Sequence, residues 1–360
     1  MGIIRLLLAL SVVIVHTGSL FGYNMVGGEL AVQAFYIISG FYMSLILNEK
    51  YVGKGSYSLF ISNRFLRLFP VYWIVLALTI ILSIVIGIMT HGKNWGDLQT
   101  FILHFKDMSP FTVLFVVFSN IFLVFQDLAV FLGLDLHSGH LYFVENFSQA
   151  NPAVFKFMVI GQAWTVGLEI MFYLVAPYIV RRKLSLIALV ILISLTLRFF
   201  LYHIGLNYSP WTYRLFANEI VFFMLGNLSY KLYLYFKSRT LPKYILQLNF
   251  CSMLAFILIY DFIEFRYKYV IFIIAFFLSL PFIFIMFKHN SLDMKIGDLS
   301  YPIYISHIFV FTILSGLKIT DHFGKAVPVI IGSILFSLLL NRFVADKVER
   351  IRQTRIQTKL

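Results

Sequence analysis

Charge is what this chain has least of. Only 12% of its 360 residues are Asp, Glu, Lys or Arg, about half the share of a soluble domain, so no soluble domain is expected anywhere in it. Cysteine occurs once, at Cys251, which excludes an internal disulfide and leaves the redox compartment open. No glycine-rich phosphate loop and no nucleophile elbow is present. His91, His104, His137 and His140 lack convincing ligand spacing, although the last two are three apart, and no metal is expected. Internal repeats and low-complexity segments are absent. The first apolar run carries no small-x-small cleavage site, and His16 interrupts its apolar core. It therefore reads as a retained membrane span rather than a signal peptide.

What the chain has is apolar length. It is 60% hydrophobic, with a mean hydropathy of +0.88, and runs long enough to cross ~30 Å of hydrocarbon recur from end to end. The fold class is an all-α polytopic membrane protein: one transmembrane domain over 1–346 and a basic tail over 347–360. A net charge of +13 points to anionic lipid headgroups as a partner before nucleic acid.

Spans are read near 3–23, 29–48, 69–90, 158–180, 184–204, 214–236, 244–262, 268–287, 299–318 and 325–345. Basic residues mark cytoplasmic ends. They lie at Lys50, Lys54, Arg64 and Arg67, at Arg181, Arg182 and Lys183, at Lys237, Arg239 and Lys243, at Lys288 and Lys295, and at Lys347, Arg350, Arg352, Arg355 and Lys359. These clusters share one side only if the further apolar run 111–133 does not cross. Ten spans with both termini cytoplasmic follow, in a cytoplasmic (inner) membrane, with 111–133 re-entrant or interfacial. Asp97, Asp107, Asp127, Asp135 and Glu145 suit an external position for that stretch. Eleven spans, with one basic cluster outside, is the alternative.

Ionisable groups inside such spans are costly and by default suggest a functional site. Arg5 and His16 share the first span with ten residues between them. At about 100° and ~1.5 Å per residue they stand on one helix face, roughly 16 Å apart along the axis. The second span holds Gln33, Ser39 and Gly40. Packing accounts for the glycine but not for the two polar residues, which fall on different faces. Arg64 and Arg67, three apart before the third span, form a pair able to grip a pyrophosphate or a 3′-phosphate; a topogenic cluster is the plain alternative. Glu169 sits near the centre of its span, where it needs a cation, a proton or water. Trp164 lies near the outer end of the same span. Tyr304 and His307 share a face in a later one, with Tyr301 nearby.

Taken in order, these pieces resemble the acyltransferase-3 family of integral membrane acyltransferases, which includes polysaccharide O-acetyltransferases. Arg5 to His16 carries the resemblance, with Gly28 to Phe41 ending in FYIISGF, RFLRLFPVYW from Arg64 to Trp73, and WTVGLEIMFYLVAP from Trp164 to Pro177. SYPIYISH, Ser300 to His307, is a weaker match. Ala31 and Tyr36 depart from the glycine and phenylalanine usual there, and Gly167 interrupts the segment before Glu169.

The resemblance implies transfer of an acyl group, usually acetyl, from cytoplasmic acyl-CoA to a hydroxyl of an extracytoplasmic glycan or lipid-linked sugar. It places acyl-CoA on Arg5, Arg64 and Arg67, with its pantetheine arm directed towards His16 as general base or nucleophile. Glu169 is expected to orient or charge-balance the imidazole or the arginines, and Gln33, Ser39, Trp164, Tyr304 and His307 to line the site. No permanently bound cofactor is expected; acyl-CoA is a substrate. Without the esterase-like domain that some members append, acceptor recognition is expected from the membrane domain and its external loops. The competing reading is a non-catalytic permease or exporter with His16 and Glu169 as a polar relay.

Overall fold

Apolar segments cannot leave backbone N–H and C=O groups bare in lipid, so they close them internally as helices. The computed structural model describes residues 1–320 and 324–357; Lys359 of the basic tail lies outside them. The described helices are α1 Gly2–Thr17, α2 Gly28–Glu49, α3 Ser56–Met89, α4 Gln99–His104, α5 Pro110–Phe122, α6 Trp164–Ile179, α7 Leu184–His203, α8 Phe216–Phe236, α9 Lys243–Ile259, α10 Lys268–Phe287, α11 Ser291–Asp298 and α12 Ser300–Gly316, followed by Ala326–Leu340 and Asp346–Gln357. Among the described residues the only sheet is a hairpin of β1 Leu132–Leu134 and β2 Leu141–Phe143, antiparallel, with Gly133 opposite Tyr142. The protein is an all-α membrane protein.

Seven helices among the described residues are long and apolar enough to cross a membrane. Three segments expected as spans, α1, α6 and α8, fall outside that set. α1 and α6 have only 16 residues each. α8 buries Asn218, Glu219, Asn227 and Ser229. A helix enclosed by others is relieved of the lipid-facing requirement for apolar surface, and α8 is enclosed: it packs chiefly on α2, the most buried of the seven long helices. That packing is close. A Cβ on Gly40 would stand 1.9 Å from the Phe223 carbonyl oxygen, and one on Gly226 would stand 2.1 Å from that of Ile37. Between helices in lipid, association rests on such contact rather than on the hydrophobic effect.

Several boundaries differ from the sequence reading. The first span stops at Thr17, where Gly18 takes the left-handed conformation that ends helices (φ 91°), so 18–23 is not helical as 3–23 would require. The third helix begins at Ser56, so Arg64 and Arg67, expected on a helical face just before the span, lie inside the same helix as the span. The basic tail is helical as far as Gln357, joined to Ala326–Leu340 through a π turn at Asn341–Ala345.

α5 has 13 residues, about 20 Å of helix, against ~30 Å of hydrocarbon. The segment around it builds its own small core from Met108, Val116, Ala129, Leu134, Val154, Phe157 and Met158. Arg181, just past α6, donates to the carbonyls of Leu47 and, at 2.6 Å, Tyr51. The C-terminal ends of α2 and α6 therefore meet.

Candidate functional site

A cavity of about 350 Å³ opens among α1, α2, α3, α6, α10, α11 and α12. Arg5 from α1 and Arg64 and Arg67 from α3 line one part of it. Ser39, Glu169 and Tyr173 line another, and Thr165 and Tyr304 also face it. Three of the predicted residues thus supply cations, and the approach of α1 to α11 that brings Arg5 in depends on glycine: a Cβ on Gly2 would stand 1.6 Å from the Asp293 carbonyl oxygen. Arg64 is only 6% exposed. Its guanidinium lies 5.9 Å from the Phe60 ring centroid and 6.0 Å from that of Tyr173, and its Nε is buried without a partner.

Glu169 also faces this space. Ser39 Oγ donates to Glu169 Oε1 at 2.6 Å, and Tyr173 OH donates to the same oxygen. The carboxylate is thus held by two hydroxyls from α2 and α6. No hydrogen bond joins it to His16 among the described residues, so the direct orienting contact expected for the imidazole is not formed by Glu169.

His307 makes that contact. His16 Nδ1 and His307 Nε2 are 2.7 Å apart, with the rings 4° from parallel. His307 Nδ1 lies 2.7 Å from the Tyr304 carbonyl oxygen. A carbonyl only accepts, so His307 Nδ1 carries a proton, and in the neutral ring His307 Nε2 must accept. His16 Nδ1 then donates. Its own Nε2 is left as a bare lone pair, the form a base or nucleophile requires. His307 is fully buried, whereas His16, in the last turn of α1, is exposed.

Tyr304 borders both halves, lining the cavity with its ring 6.1 Å from that of His307. Its hydroxyl pairs with Thr165 Oγ1 at 2.7 Å and donates to the Gln162 carbonyl at 3.0 Å; Gln162 Nε2 donates to the Ile305 carbonyl at 3.0 Å. His16 and His307 do not line the cavity, while Tyr304 does. The arginines and His16 therefore do not line one cavity, as the expected path from donor to imidazole would have them do.

Two predicted lining residues stand apart. Gln33 is fully buried in another network: it donates from Nε2 to Glu219 Oε1 at 3.5 Å, accepts from Tyr269, and Glu219 is ion-paired with Arg198 at 2.9 Å. The six-residue step that puts Gln33 and Ser39 on different faces explains the separation. Trp164 is outside the cavity too, under the Arg214 guanidinium, which lies 4.8 Å above its ring.

Sequence reasoning passed over Tyr173, Thr165 and Arg214. Tyr173 carried a signal, four residues after Glu169 on one helix face. Arg214 carried none. It precedes α8, its Nε is buried without a partner, and it lies within electrostatic reach of His16. Among the described residues no group of three or more His, Cys, Asp or Glu is placed to hold a metal ion.

The family model for the acyltransferase-3 acyltransferase domain matches residues 1–342. The chain belongs to the acyltransferase-3 family. No curated protein and no solved structure matches it. As an acyltransferase-3 protein with membrane-spanning helices it is a membrane acyltransferase. The family match takes in all the residues of the cavity and of the histidine pair, and stops short of the helix Asp346–Gln357.

Proposed function

We propose that this acyltransferase moves an acyl group, acetyl in the simplest case, from cytoplasmic acyl-CoA to a hydroxyl of an extracytoplasmic glycan or lipid-linked sugar. The observation that carries this reading is the pairing of an arginine-lined cavity with a histidine whose Nε2 is free, the two meeting at Tyr304. The phosphates of CoA suit Arg5, Arg64 and Arg67, whose forked donors match phosphate oxygens. The pantetheine arm would extend past Ser39 and Glu169 towards Tyr304. The Tyr304–Thr165 contact would open to admit the thioester to His16.

In the general-base form of the reaction His16 Nε2 takes the proton of the acceptor hydroxyl. The oxygen attacks the thioester carbonyl carbon, the C–S bond breaks, and the CoA thiolate leaves with the proton returned by His16. In the nucleophilic form Nε2 attacks the thioester carbon, the C–S bond breaks and CoA leaves as its thiolate; the acceptor oxygen then attacks the acyl-imidazole, the C–N bond breaks to restore Nε2, and the hydroxyl proton passes to the thiolate. Arg214, on Trp164, is placed to offset negative charge developing beside His16.

Membrane placement belongs to the same reading. The meeting of the α2 and α6 ends and the shortness of α5 support ten crossings, with 111–133 not crossing and both termini cytoplasmic. This places Arg5, Arg64 and Arg67 towards the cytosol and His16 towards the acceptor side of an inner membrane.

The test is binding of CoA to the purified protein, together with mass spectrometry of surface glycans from cells with and without it. CoA binding lost in Arg64→Gln/Arg67→Gln, and a glycan mass increment lost in His16→Ala at unchanged abundance, are expected. Absence of CoA binding by the wild-type protein overturns the donor assignment, and retained acylation by His16→Ala removes His16 from the chemistry.

A further inference from the structure

The basic segment that the sequence offers as a topogenic tail is folded against the donor site. After the π turn at Asn341–Ala345 the chain continues as the helix Asp346–Gln357, which packs on α3. Its faces sort its charges. Lys347 and Arg350 are exposed, whereas Arg352 is only 4% exposed. Arg355 donates to Ser62 Oγ at 2.9 Å, two residues before Arg64 on α3. Lipid headgroups can serve the outward pair. They do not account for a guanidinium buried against another helix.

Arg352 is paired with Glu349 one turn back, yet its Nε is buried without a partner. Arg64 Nε, on the facing helix, is in the same condition. Arg352 lies within electrostatic reach of both Arg64 and Arg67. Burying cations together is costly unless an anion compensates, and Glu349 is the single carboxylate bonded to Arg352. Two unsatisfied guanidinium nitrogens on two packed helices are what an oxyanion would satisfy. The helix lies beyond residue 342, where the family match ends, so the family assignment does not supply this contact.

Resting on the reading of acyl-CoA as donor, we propose that Arg352 completes the phosphate site begun by Arg64 and Arg67 and binds the 3′-phosphate of CoA. Arg64 and Arg67 line the cavity, and Arg352 stands beside that lining without entering it. A donor whose thioester points to Tyr304 leaves its nucleotide end at the arginines. The 3′-phosphate sits on that end, away from the thioester arm, and is the group that a residue beside the cavity would meet.

The test is calorimetric titration of the purified full chain with CoA and with 3′-dephospho-CoA. The wild-type protein is expected to favour CoA by about tenfold or more, the scale of a charge-assisted hydrogen bond. Arg352→Gln should lose that preference while binding 3′-dephospho-CoA as before. Arg352→Lys, which keeps the charge and the stem, should retain part of the preference and serves if the glutamine variant does not fold. Arg350→Gln, on the solvent face, should match the wild type. An undiminished preference in the Arg352 variants, or an equal loss of both ligands, overturns the assignment. Failure of the wild-type protein to bind either compound instead overturns the donor reading beneath it.

Discussion

His16 Nδ1 and His307 Nε2 lie 2.7 Å apart in nearly parallel rings, although 291 residues separate them in the chain. Because His307 is anchored in turn on the Tyr304 carbonyl, its only free position for His16 is an acceptor. The pair fixes one tautomer of His16 and leaves its Nε2 open. His307→Ala removes that constraint without touching the cavity. Acyl transfer should fall by about 10²-fold or more, on the scale seen when the partner of a catalytic histidine is lost. The loss should appear in kcat, with the acyl-CoA KM and the protein level unchanged. Wild-type turnover in His307→Ala would show that His16 needs no partner.

Tyr304 gives a second prediction. Its hydroxyl bonds Thr165 and the Gln162 carbonyl, and its ring, which lines the arginine-lined space, lies 6.1 Å from that of His307, the partner of the exposed His16. Tyr304→Phe keeps the ring and deletes both bonds. If this contact restrains the passage, the variant should release CoA thiol from acetyl-CoA faster in the absence of any acceptor, by roughly the several-fold factor that one net hydrogen bond confers. Thiol release equal to that of the wild type would mean that the hydroxyl bonds do not hold the path closed.

The helical parts of this architecture were legible because they depend on local spacing. Arg5 and His16 do lie on one helix, and Arg64 and Arg67 do line one cavity with Arg5. Glu169 does face a polar space. The partnerships were not legible, because they cross helices far apart in sequence: His16 with His307, Glu169 with Ser39, Gln33 with Glu219. Helix ends were also hidden. Apolarity continues past Thr17 through Leu20, Phe21 and Tyr23, but Gly18 turns the chain. On the third helix the basic residues before Phe69 mark the start of the apolar stretch, although the helix itself begins at Ser56. The enclosed α8 shows the same limit from the other side: its buried polar residues lower its apolarity, yet its neighbours, not lipid, form its surroundings.

Gly40 tests that enclosure. A methyl group there meets the Phe223 carbonyl oxygen at 1.9 Å and the Phe223 carbonyl carbon at 2.7 Å, and backbone cannot swing aside as a flexible side chain does. Gly40→Ala should therefore push α2 from α8 and cost about 1–3 kcal/mol, the usual range for overpacking, read as a lower Tm of the purified protein. At Gly161 an added methyl meets nothing within 4 Å, and Gly161→Ala should leave Tm close to the wild-type value. Equal Tm values for the two variants would mean that the α2–α8 contact yields easily.

Asp127, in the segment between α5 and β1, predicts a pH dependence. Burial pushes its carboxyl up to about 6, against backbone N–H groups of Asp127 and Leu128 that favour the ionised form. Its Oδ1 is buried without a partner. The native state therefore holds the proton more tightly than the unfolded chain, whose Asp titrates near ~3.9. The stabilisation from that bound proton is complete below the unfolded value and is lost as pH rises through about 6. At about 1.4 kcal/mol per unit the full effect is on the order of 3 kcal/mol. Asp127→Asn keeps the shape and the acceptor oxygen but has no proton to lose. Its Tm should match the wild type near pH 4 and exceed it increasingly up to pH 7 (roughly the span of the titration). Parallel curves for the two proteins across that range would place the Asp127 carboxylate in contact with water or a cation instead.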